Sequence, residues 1–585
     1  MKNVTPPNSI AQDVTSKPET QAEGSNRRQF IGRVGMAAAA AGVVGGIPKA
    51  LAGTAVGASN SASQNTFNGR LKRAYDLRVN SAQADFNLPI PPHTTNGDEQ
   101  RYADKSASYS KGLLQDDIGV VNPAAWASFK TALKTGNATD WNNVITGGTR
   151  TLNGPQGSYA LDLEAADSAL YGDAPFFNDP GGLKAVPPFD PIASDYYGAQ
   201  LAEVYWASLL YDVAFTDYGN NDIANQAADE LTSFGSAYRG PKTLSGQVTP
   251  DLLFRGIFPG EQLGPYVSQF FLMPTYLGSQ KLDMLMQTFV PGVDYMTDVT
   301  TFQQVQNGIS TGLSVQFDPV ARYLHDARGF AAYTHVDVLF QAYFTGFLVM
   351  LSSGFPLNPG NPYTGNKTQN GFNTFGGPDF AASQGEIATR ALAKVWFQKW
   401  LIHLAHRPES GGGVLHQILS GNGNKIQATL NSNILNSAAP QKVFSKYGTY
   451  LLPHTYPEGS PTHPSYPTGH GTVAGACITL LKFFYDGNHV IDNPVQPSSD
   501  GLSTVPYTGG DSLTVNGELN KLAHNVTFGH GILAATHWRA DSDASMTLGE
   551  ACALSWLQNR AHTYNEKFTV QLQRLDGSTA TISNQ

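Results

Sequence analysis

The chain has 585 residues, and its 37 Lys and Arg against 46 Asp and Glu give a formal net charge of −9 at neutral pH. Nucleic-acid phosphates are bound by basic surfaces, so this charge balance excludes a polynucleotide as the expected partner. The length exceeds that of one ordinary hydrophobic core, yet no charged or low-complexity separator divides the sequence. One large domain and two fused domains fit equally well.

The chain begins with a pattern typical of an export signal. Asn26-Arg-Arg-Gln-Phe-Ile31 precedes an apolar run from Val34 to Ile47 and then the small-residue sequence Ala50-Leu-Ala52. Paired arginines before a mildly apolar stretch and a cleavage pattern of this type predict a twin-arginine signal over residues 1–52. We therefore expect the protein to be exported, to the periplasm or the medium.

Helices dominate the rest of the predicted structure. Small polar residues and prolines first predict an extended N-terminal arm over residues 53–100, which is suited to wrapping a neighbouring subunit. Apolar residues then recur at helical spacing, and the predicted fold class is mainly α. The predicted helices are Trp126–Leu133, Ser194–Phe215, Ile223–Phe234, Phe330–Leu351, Glu386–His406, Gly471–Tyr485, Glu518–Trp538 and Met546–Asn559. They form an N-terminal helical region, 101–380, and a C-terminal one, 381–585.

Long loops rich in Gly, Pro and Asn separate the helices, notably Gly354–Phe380. The one convincing strand pair is a small C-terminal hairpin, Lys567–Leu575 with Thr579–Ser583. The apolar run Val338–Met350 is short and contains a glutamine, so a core helix explains it better than a membrane span.

Cys477 and Cys552 both lie in apolar helical stretches. Buried thiols are the default expectation for such cysteines. A disulfide remains open if the two helices pack together.

The chemistry is concentrated around a proline-held turn, His463-Pro-Ser-Tyr-Pro-Thr-Gly-His470. The prolines fix φ at two points, and Gly469 allows close approach of the backbone. The helix that follows presents unpaired N–H groups beside His470. A helix start of this kind attracts an anion.

Two other stretches add complementary groups. Lys399 and Arg407 place permanent cations at the two ends of a predicted helix that Pro408 terminates. Farther along, His537 and Asp541 stand at i and i+4, which predicts that they share one helical face.

Lys399, Arg407-Pro408, Pro467-Thr-Gly-His470, and His537 with Asp541 resemble, in this order, the signature of the vanadium-dependent haloperoxidases. That family shares its oxyanion site with the phosphatidic-acid-type acid phosphatases. The Lys-to-Arg spacing and the His463-Pro-Ser-Tyr lead-in are similar to the bromoperoxidase branch known from red algae and their bacterial relatives. Further stretches that look like this branch are Ala202-Glu-Val-Tyr-Trp, Leu253-Phe-Arg-Gly, Gly264-Pro-Tyr-Val-Ser-Gln-Phe and Asn358-Pro-Gly-Asn-Pro-Tyr363.

The resemblance implies a helical-bundle fold, a homo-oligomer and a vanadate cofactor, in a site that phosphate is also able to occupy. It implies oxidation of bromide by hydrogen peroxide, with iodide or chloride as further halides, to a hypohalous acid that halogenates an organic acceptor. His537 would bind the metal, with Asp541 beside it. His470 would act as general acid and base, and His463 would tune its pKa or the approach of the halide.

The cofactor oxygens would be held by Lys399, Arg407, the Thr468 hydroxyl and the Gly469 amide, by the same resemblance. Thr468 stands where the family has Ser, which keeps a hydroxyl donor. A second departure is larger, because the family's Arg six residues before the metal-binding His is replaced by Gly531.

Alignment from the left, on Asn525-Val-Thr-Phe-Gly529, instead puts His530 in the place of the missing Arg. An adjacent oxyanion would raise the pKa of His530 and allow a cationic imidazolium to replace part of the missing charge. An ordinary helix histidine is the alternative interpretation. Arg539 lies two residues from His537 and should point elsewhere.

Two other functions stay open at the level of sequence. An acid phosphatase would use His537 as nucleophile, Asp541 to orient it and His470 to protonate the leaving group. A non-catalytic oxyanion-binding protein would accommodate the missing Arg. Asp326, His335 and Asp337 have side chains of the types that bind metals, but scattered polar residues on a helix usually form hydrogen bonds within the fold, which is the simpler explanation for them.

Overall fold

The structure, a computed structural model, describes residues 66–87, 93–159 and 186–585. The predicted signal over residues 1–52 lies outside the described residues. The fold is mainly α, as predicted. The helices are α1 (Phe67–Phe86), α2 (Asp98–Arg101), α3 (Pro123–Thr135), α4 (Ala138–Asn142), α5 (Asp195–Leu209), α6 (Asp222–Ser233), α7 (Val299–Gln306), α8 (Ala327–His335), α9 (Gln341–Ser352), α10 (Gly377–Phe397), α11 (Pro408–Gln417), α12 (Ser432–Leu435), α13 (Ala438–Tyr447), α14 (Gly469–Phe484), α15 (Val515–His530) and α16 (Arg539–Ala561).

Short antiparallel hairpins decorate the helical body. They pair β1 (Thr275–Leu277) with β2 (Gln280–Leu282), β3 (Val495–Pro497) with β4 (Thr504–Pro506), and β5 (Thr569–Gln573) with β6 (Thr579–Ser583). The last is the predicted C-terminal hairpin. Val570 lies opposite Ile582 across it, and both are buried, so the pair has one face on the core.

Helix α14 is the centre of the core, because all of its residues except His470 are buried. It packs against α10, α15 and α16. At the α14–α16 contact, a Cβ added to Gly475 would overlap the Met546 carbonyl oxygen, and one added to Gly549 would overlap that of Thr472. The two helix backbones therefore touch, which only glycine at these positions permits.

The described residues, from 66 onwards, belong to one compact unit. Its main core takes side chains from both sides of the boundary at residue 380 that separates the two predicted helical regions, such as Trp206 and Phe330 on one side and Leu480 and Trp538 on the other.

The prediction of an extended arm is wrong for residues 67–86, which form α1. The prolines of the predicted arm, Pro89, Pro91 and Pro92, all follow this stretch. The stretch itself is rich in Arg, Leu and Ala, which are good helix formers.

Two predicted helices are each divided in two. Phe330–Leu351 becomes α8 and α9, because the chain leaves the helix at Val336, where φ is −138° and ψ is 38°. Glu518–Trp538 becomes α15, which ends at His530, and a short 3-10 turn, Ile532–Ala534, after which Ala535 has φ 59°. Both interruptions lie at the functional site described below.

The cysteine question is also resolved. Cys477 and Cys552 are buried thiols that no disulfide joins.

Among the described residues, none of the helices combines the length and the apolar character needed to cross a bilayer, and the predicted core helix of Val338–Met350 is found as α9.

Candidate oxyanion site

The start of α14 presents free donors to the site. Thr468 occupies the N-cap position, but its hydroxyl makes no capping bond. The Thr468 Oγ1 atom is buried and has no hydrogen-bond partner within the described residues. The backbone N–H groups of Gly469 and His470 open the helix and have no acceptor within it. Together these groups offer donors to a buried ligand.

Lys399 reaches the proline-held turn from a π-helical segment, Gln398–His403, that continues α10. The Lys399 ammonium is fully buried and donates to the carbonyl oxygens of Pro464 at 2.9 Å and Ser465 at 2.7 Å. Burial and the neighbouring Arg407 lower the pKa of Lys399 well below its usual range. A buried ammonium without a carboxylate is costly, and this one is placed beside other cations.

Arg407 is the N-cap residue of α11, so Pro408 begins a helix. The prediction that this proline terminates the helix of Lys399 is wrong, because the preceding helix already ends at His403, where Leu404 turns to φ 44°. Proline is favoured at the first position of a helix, where its missing N–H costs no hydrogen bond.

The Arg407 guanidinium donates to the carbonyl oxygens of His463 at 3.1 Å and Thr536 at 3.0 Å. It also lies 2.7 Å from His537 Nε2 and 3.0 Å from His463 Nδ1. Burial lowers the pKa of Arg407 to about 10, while the carboxylate of Asp541 acts in the opposite direction. Arg407 is thus the group that links the separate stretches of the site.

His463 lies against the two cations. Its Nδ1 is 3.4 Å from the Lys399 ammonium nitrogen, and its ring packs at 4.7 Å from the ring of Trp396. No hydrogen bond joins it to His470 in the described part of the chain. The contacts of His463 are thus with Lys399 and Arg407, and its influence on His470 stays a prediction.

His537 and Asp541 are paired, but not by the predicted helical geometry. His537 lies two residues before α16, and Asp541 lies in the first turn of that helix. The His537 Nδ1–H donates to Asp541 Oδ2 at 2.7 Å, and the Ser465 hydroxyl donates to the same oxygen. Because a carboxylate accepts, the proton of the ring is held on Nδ1 and the Nε2 lone pair is turned towards Arg407.

His470 and His530 form a stacked pair of rings, with centroids 3.9 Å apart and planes 20° apart. His470 Nε2 lies 2.8 Å from Asp337 Oδ1. His530 is the last residue of α15, and its ring centroid is 5.5 Å from that of His537. Of the two candidates for the position of the missing Arg, Gly531 carries no side chain. His530 is therefore the one whose side chain extends into the site.

Burial disfavours the charged forms of the ionisable groups in the site. Burial, together with neighbouring positive groups, lowers the pKa of His463, His530 and His537 well below its usual range. Burial raises the pKa of Asp541, against the hydrogen bond from Ser465 and the charges of Lys399 and Arg407. Positive charge is disfavoured here in the absence of an anion, and a bound oxyanion would reverse this.

Arg539 is turned away from these groups, as predicted. Its guanidinium forms a buried ion pair with Glu203, at 2.5 Å between Nη2 and Oε1. It therefore does not substitute for the missing Arg.

Two residues of the site are absent from the sequence analysis as site residues. Ser465 lies inside the proline-held turn, and its hydroxyl meets Asp541. Asp337 was interpreted as an ordinary polar residue, but its carboxylate meets His470 from a loop 133 positions away in sequence. The residue types alone carried no signal for Asp337, whereas the position of Ser465 within the motif did.

Comparison with known proteins places the chain in one family. No protein-family model matches the sequence. The chain is 30% identical over 592 residues to a vanadium-dependent bromoperoxidase of Corallina pilulifera, covering 88% of this chain and 98% of the relative. It is 32% identical over 499 residues to one of Ascophyllum nodosum, covering 81% and 86%. The chain belongs to the vanadium-dependent bromoperoxidases.

The fold agrees with this membership. The second vanadate-dependent bromoperoxidase of Ascophyllum nodosum, whose structure is homohexameric, matches with a TM-score of 0.82 and 26% identity, over 92% of this chain and 95% of that one. These relatives carry bromoperoxidase names, so the acid phosphatase alternative is not favoured.

The residues present fit a vanadate group. The Thr468 hydroxyl and His530 Nδ1 are buried polar atoms without protein partners in the described chain, which is typical of atoms that await a ligand. Within the same residues, no group of three or more His, Cys, Asp or Glu is arranged to hold a bare metal ion. Buried cations around one imidazole instead suit an oxyanion whose metal takes a single histidine.

Proposed function

We propose that the protein is a vanadate-dependent haloperoxidase that oxidises bromide with hydrogen peroxide. In the balanced reaction, hydrogen peroxide, bromide and one proton give hypobromous acid and water, and the hypobromous acid halogenates an organic acceptor. The observation that carries the proposal is a pair of buried cations, Lys399 and Arg407, that have no carboxylate of their own. Both contact His463, and Arg407 also contacts the imidazole of His537. The family membership supports the same activity.

Each residue has a role that follows from its contacts. His537, oriented by Asp541, would take the metal through Nε2. Lys399, Arg407, the Thr468 hydroxyl and the Gly469 amide would hold the cofactor oxygens, and vanadate supplies Lewis acidity that activates peroxide. His470 would take a proton from hydrogen peroxide and return one to the departing oxygen.

His530 would contribute to anion binding in place of the family's Arg. Its unpartnered Nδ1 and its position beside His470 and His537 support this role. His530→Arg should tighten vanadate binding and flatten its pH dependence, because a guanidinium stays charged. An unchanged affinity would place His530 outside the anion site.

The deciding experiment is bromination of monochlorodimedone by anion-stripped protein, with bromide and hydrogen peroxide, with and without orthovanadate. Activity should require vanadate, be inhibited by phosphate and disappear in His537→Ala. The matched control is His416→Ala, a histidine at the end of α11 that bonds Ser420 and Tyr450, outside the site. Hydrolysis of p-nitrophenyl phosphate without any bromination would instead establish a phosphatase.

The protein is further proposed to form a homo-oligomer through α1. Phe67, Leu71, Tyr75 and Val79 are spaced four residues apart on this helix and are 77%, 57%, 68% and 46% exposed. Arg73, at another angle around the helix, donates to the body at the His562 carbonyl. The exposed stripe amounts to about 450 Å² of side chain, a substantial part of the roughly 800 Å² per partner of a stable interface. The homohexamer of the structural relative supports a second copy as its occupant.

Light scattering should show a lower mass for the double variant Leu71→Glu, Tyr75→Glu than for the unmodified protein. The matched control is Asn80→Glu, on the side of α1 that faces away from Leu71 and Tyr75. An unchanged mass for the stripe variant would place the subunit contact elsewhere.

Export by the twin-arginine route is supported by the pattern from Asn26 to Ala52. In a bacterial host with this route, Arg27→Lys with Arg28→Lys should leave unprocessed protein in the cytoplasm. Continued export of that variant would contradict the route.

A further inference from the structure

A second cleft, of about 520 Å³, is separate from the oxyanion site, because none of the described residues that line it belongs to that site. Its volume is in the range of clefts that hold small molecules. It is bounded by Leu253-Phe-Arg-Gly256 and Gly264-Pro-Tyr-Val267, two stretches noted in the sequence, and by the loop that carries Tyr507 and Asp511.

One wall of the cleft is an aromatic stack. The rings of Phe215 and Tyr266 lie 3.8 Å apart, centre to centre, with 16° between their planes. Tyr266 is buried and held in place, because its hydroxyl donates to the Phe254 carbonyl at 2.9 Å and its ring lies 6.4 Å from that of Phe330 in the core. Phe215 is only partly buried. The stack therefore presents a flat, rigid surface to a planar apolar group.

A positive charge lies within the same cleft. The buried Arg255 guanidinium donates to the backbone carbonyls of Asp251 at 2.7 Å, Glu261 at 3.1 Å and Gly264 at 2.9 Å, and it forms no ion pair within the described residues. A guanidinium has five N–H donors, so two remain for a ligand. Burial lowers the pKa of Arg255. A buried cation without a carboxylate in contact favours the binding of an anion.

A negative charge stands on the other side of Gly264. The Gly264 N–H donates to Asp511 Oδ2 at 2.8 Å, while its carbonyl accepts from Arg255, so one residue spaces the two charges. The Tyr507 hydroxyl donates to the same Oδ2 at 2.8 Å. These bonds fix the exposed carboxylate and leave its Oδ1 without a partner in the described chain. The cleft thus holds a cation and an anion at a fixed spacing beside an aromatic wall.

We propose that this cleft binds an aromatic α-amino acid as its zwitterion. Arg255 would receive the carboxylate, Oδ1 of Asp511 the ammonium group, and the Phe215 ring the aromatic side chain. Both charged groups of an α-amino acid are joined to one carbon, which suits two protein charges spaced by a single residue. A ligand with one charge would satisfy only one of them. The inference goes beyond the proposed peroxidase reaction and does not depend on it.

The first test varies the ligand. Calorimetric titration of the full-length protein with L-phenylalanine should show binding, in phosphate that saturates the oxyanion site. 3-Phenylpropionate lacks the ammonium group, phenethylamine lacks the carboxylate and L-alanine lacks the ring, so each should bind at least about 10-fold more weakly. An affinity for any of the three equal to that for phenylalanine, or no binding of phenylalanine at millimolar concentration, would overturn the proposal.

The second test locates the site. Asp511→Asn should weaken the binding of L-phenylalanine about 10-fold and should not weaken that of 3-phenylpropionate, because only the ammonium group loses its partner. The matched control is Asp500→Asn. Asp500 is also exposed and also accepts from one backbone N–H, that of Leu502 at 3.0 Å, and one hydroxyl, that of Ser498 at 2.7 Å, but it does not line the cleft. Equal affinities of the two variants for L-phenylalanine would contradict the assignment.

The guanidinium is best tested from the ligand's side. Arg255 holds three backbone carbonyls, so its substitution would also disturb the surrounding turns, whereas phenethylamine removes the carboxylate without a change in the protein. None of these titrations involves halogenation. Absence of bromination would therefore reject the proposed function alone, and absence of L-phenylalanine binding would reject the role of the cleft alone.

Discussion

Two buried clusters of charged side chains meet at the start of α11. Arg407 belongs to one and Glu409 to the other, and only Pro408 separates them in sequence. In the first, Glu409 accepts from Lys111 at 2.6 Å, Gln306 at 2.9 Å and the Ser460 amide at 2.7 Å. We call these four residues the closed cluster. Burial alone would raise the pKa of Glu409, but Lys111 and His454 outweigh it and lower the pKa to about 2.

The second cluster, Lys399 and Arg407 with His463 and His537, has no such carboxylate of its own, and we call it the open cluster. Its cations donate to backbone carbonyls and imidazoles, and the nearby Asp541 is engaged by His537 and Ser465. Equal burial thus has two outcomes. Where the protein supplies the counter-charge, the cluster is structural, and where it does not, the cluster is a candidate ligand site.

The largest expected effect is a difference in stability between substitutions of Lys111 in the closed cluster and Lys399 in the open cluster. Lys111→Met leaves Glu409 buried without its cation and should destabilise the protein by about 3–5 kcal/mol. Lys399→Met removes an uncompensated charge and should leave the anion-free protein as stable as before, or more so. Denaturant unfolding in anion-free buffer measures both. Equal losses would end the distinction between the clusters.

Acid should weaken the anion-free protein. Burial lowers the pKa of His454, beside the closed cluster, and of His406 to about 4 each. Between pH 6.5 and 4 the unfolded chain binds protons that the folded chain does not, so stability present above pH 6.5 is lost as pH falls. Each of the two histidines should lower the free energy of unfolding by about 2 kcal/mol at pH 5. Unfolding free energies at pH 7.5 and 5 test the sign, and His454→Gln should reduce the slope.

An oxyanion should stabilise the folded protein by binding to the open cluster and not to the closed one. Phosphate or vanadate at about 100 times its Kd should raise the unfolding free energy by about 2.7 kcal/mol. Lys399→Met should lose most of this gain, whereas Lys111→Met should keep it despite its lower starting stability. Thermal unfolding with and without phosphate provides the measurement. A gain that survives in Lys399→Met would place the anion elsewhere.

The smallest effect concerns the hydroxyl of Thr468. Thr468→Val removes one donor from the anion and should weaken oxyanion binding by about 1 kcal/mol, or roughly fivefold in Kd. Thr468→Ser keeps the donor and should bind as the unmodified protein does. Titration calorimetry with phosphate compares the two, and equal affinities for Val and Ser would show that the hydroxyl is not used.

The order of the motifs predicted much of the site, because each motif brings its own backbone and side-chain groups to one place. Lys399, Arg407 and His537 are gathered as expected, although the helices that carry them are interrupted. Periodicity predicted continuous helices through Lys399 and up to His537, while the structure has a π-helical segment and a left-handed residue there. Apolar spacing does not register a break whose cause is a contact in the tertiary structure.

Asp337 shows the limit of such prediction most clearly. Its partner His470 is 133 residues away, and the local pattern of two valines around a carboxylate indicates nothing about His470. Only the packing of α8 beside α15 brings the loop to the histidine pair. The same holds for the closed cluster, where Lys111 and Glu409 are joined across nearly 300 positions.

The glycines where α14 and α16 touch have a consequence for engineering. Replacing a helix-interior glycine by alanine ordinarily gains about 0.5–1 kcal/mol, and such exchanges are a common route to hardier enzymes. At Gly475 and Gly549 the added methyl group would meet the carbonyl oxygen of the facing helix. Helix α14 begins at the residues proposed to hold the oxyanion, and α16 begins beside the Asp541 that orients His537. Forcing the two helices apart should therefore enlarge the site itself. A thermostabilisation campaign should leave both positions untouched.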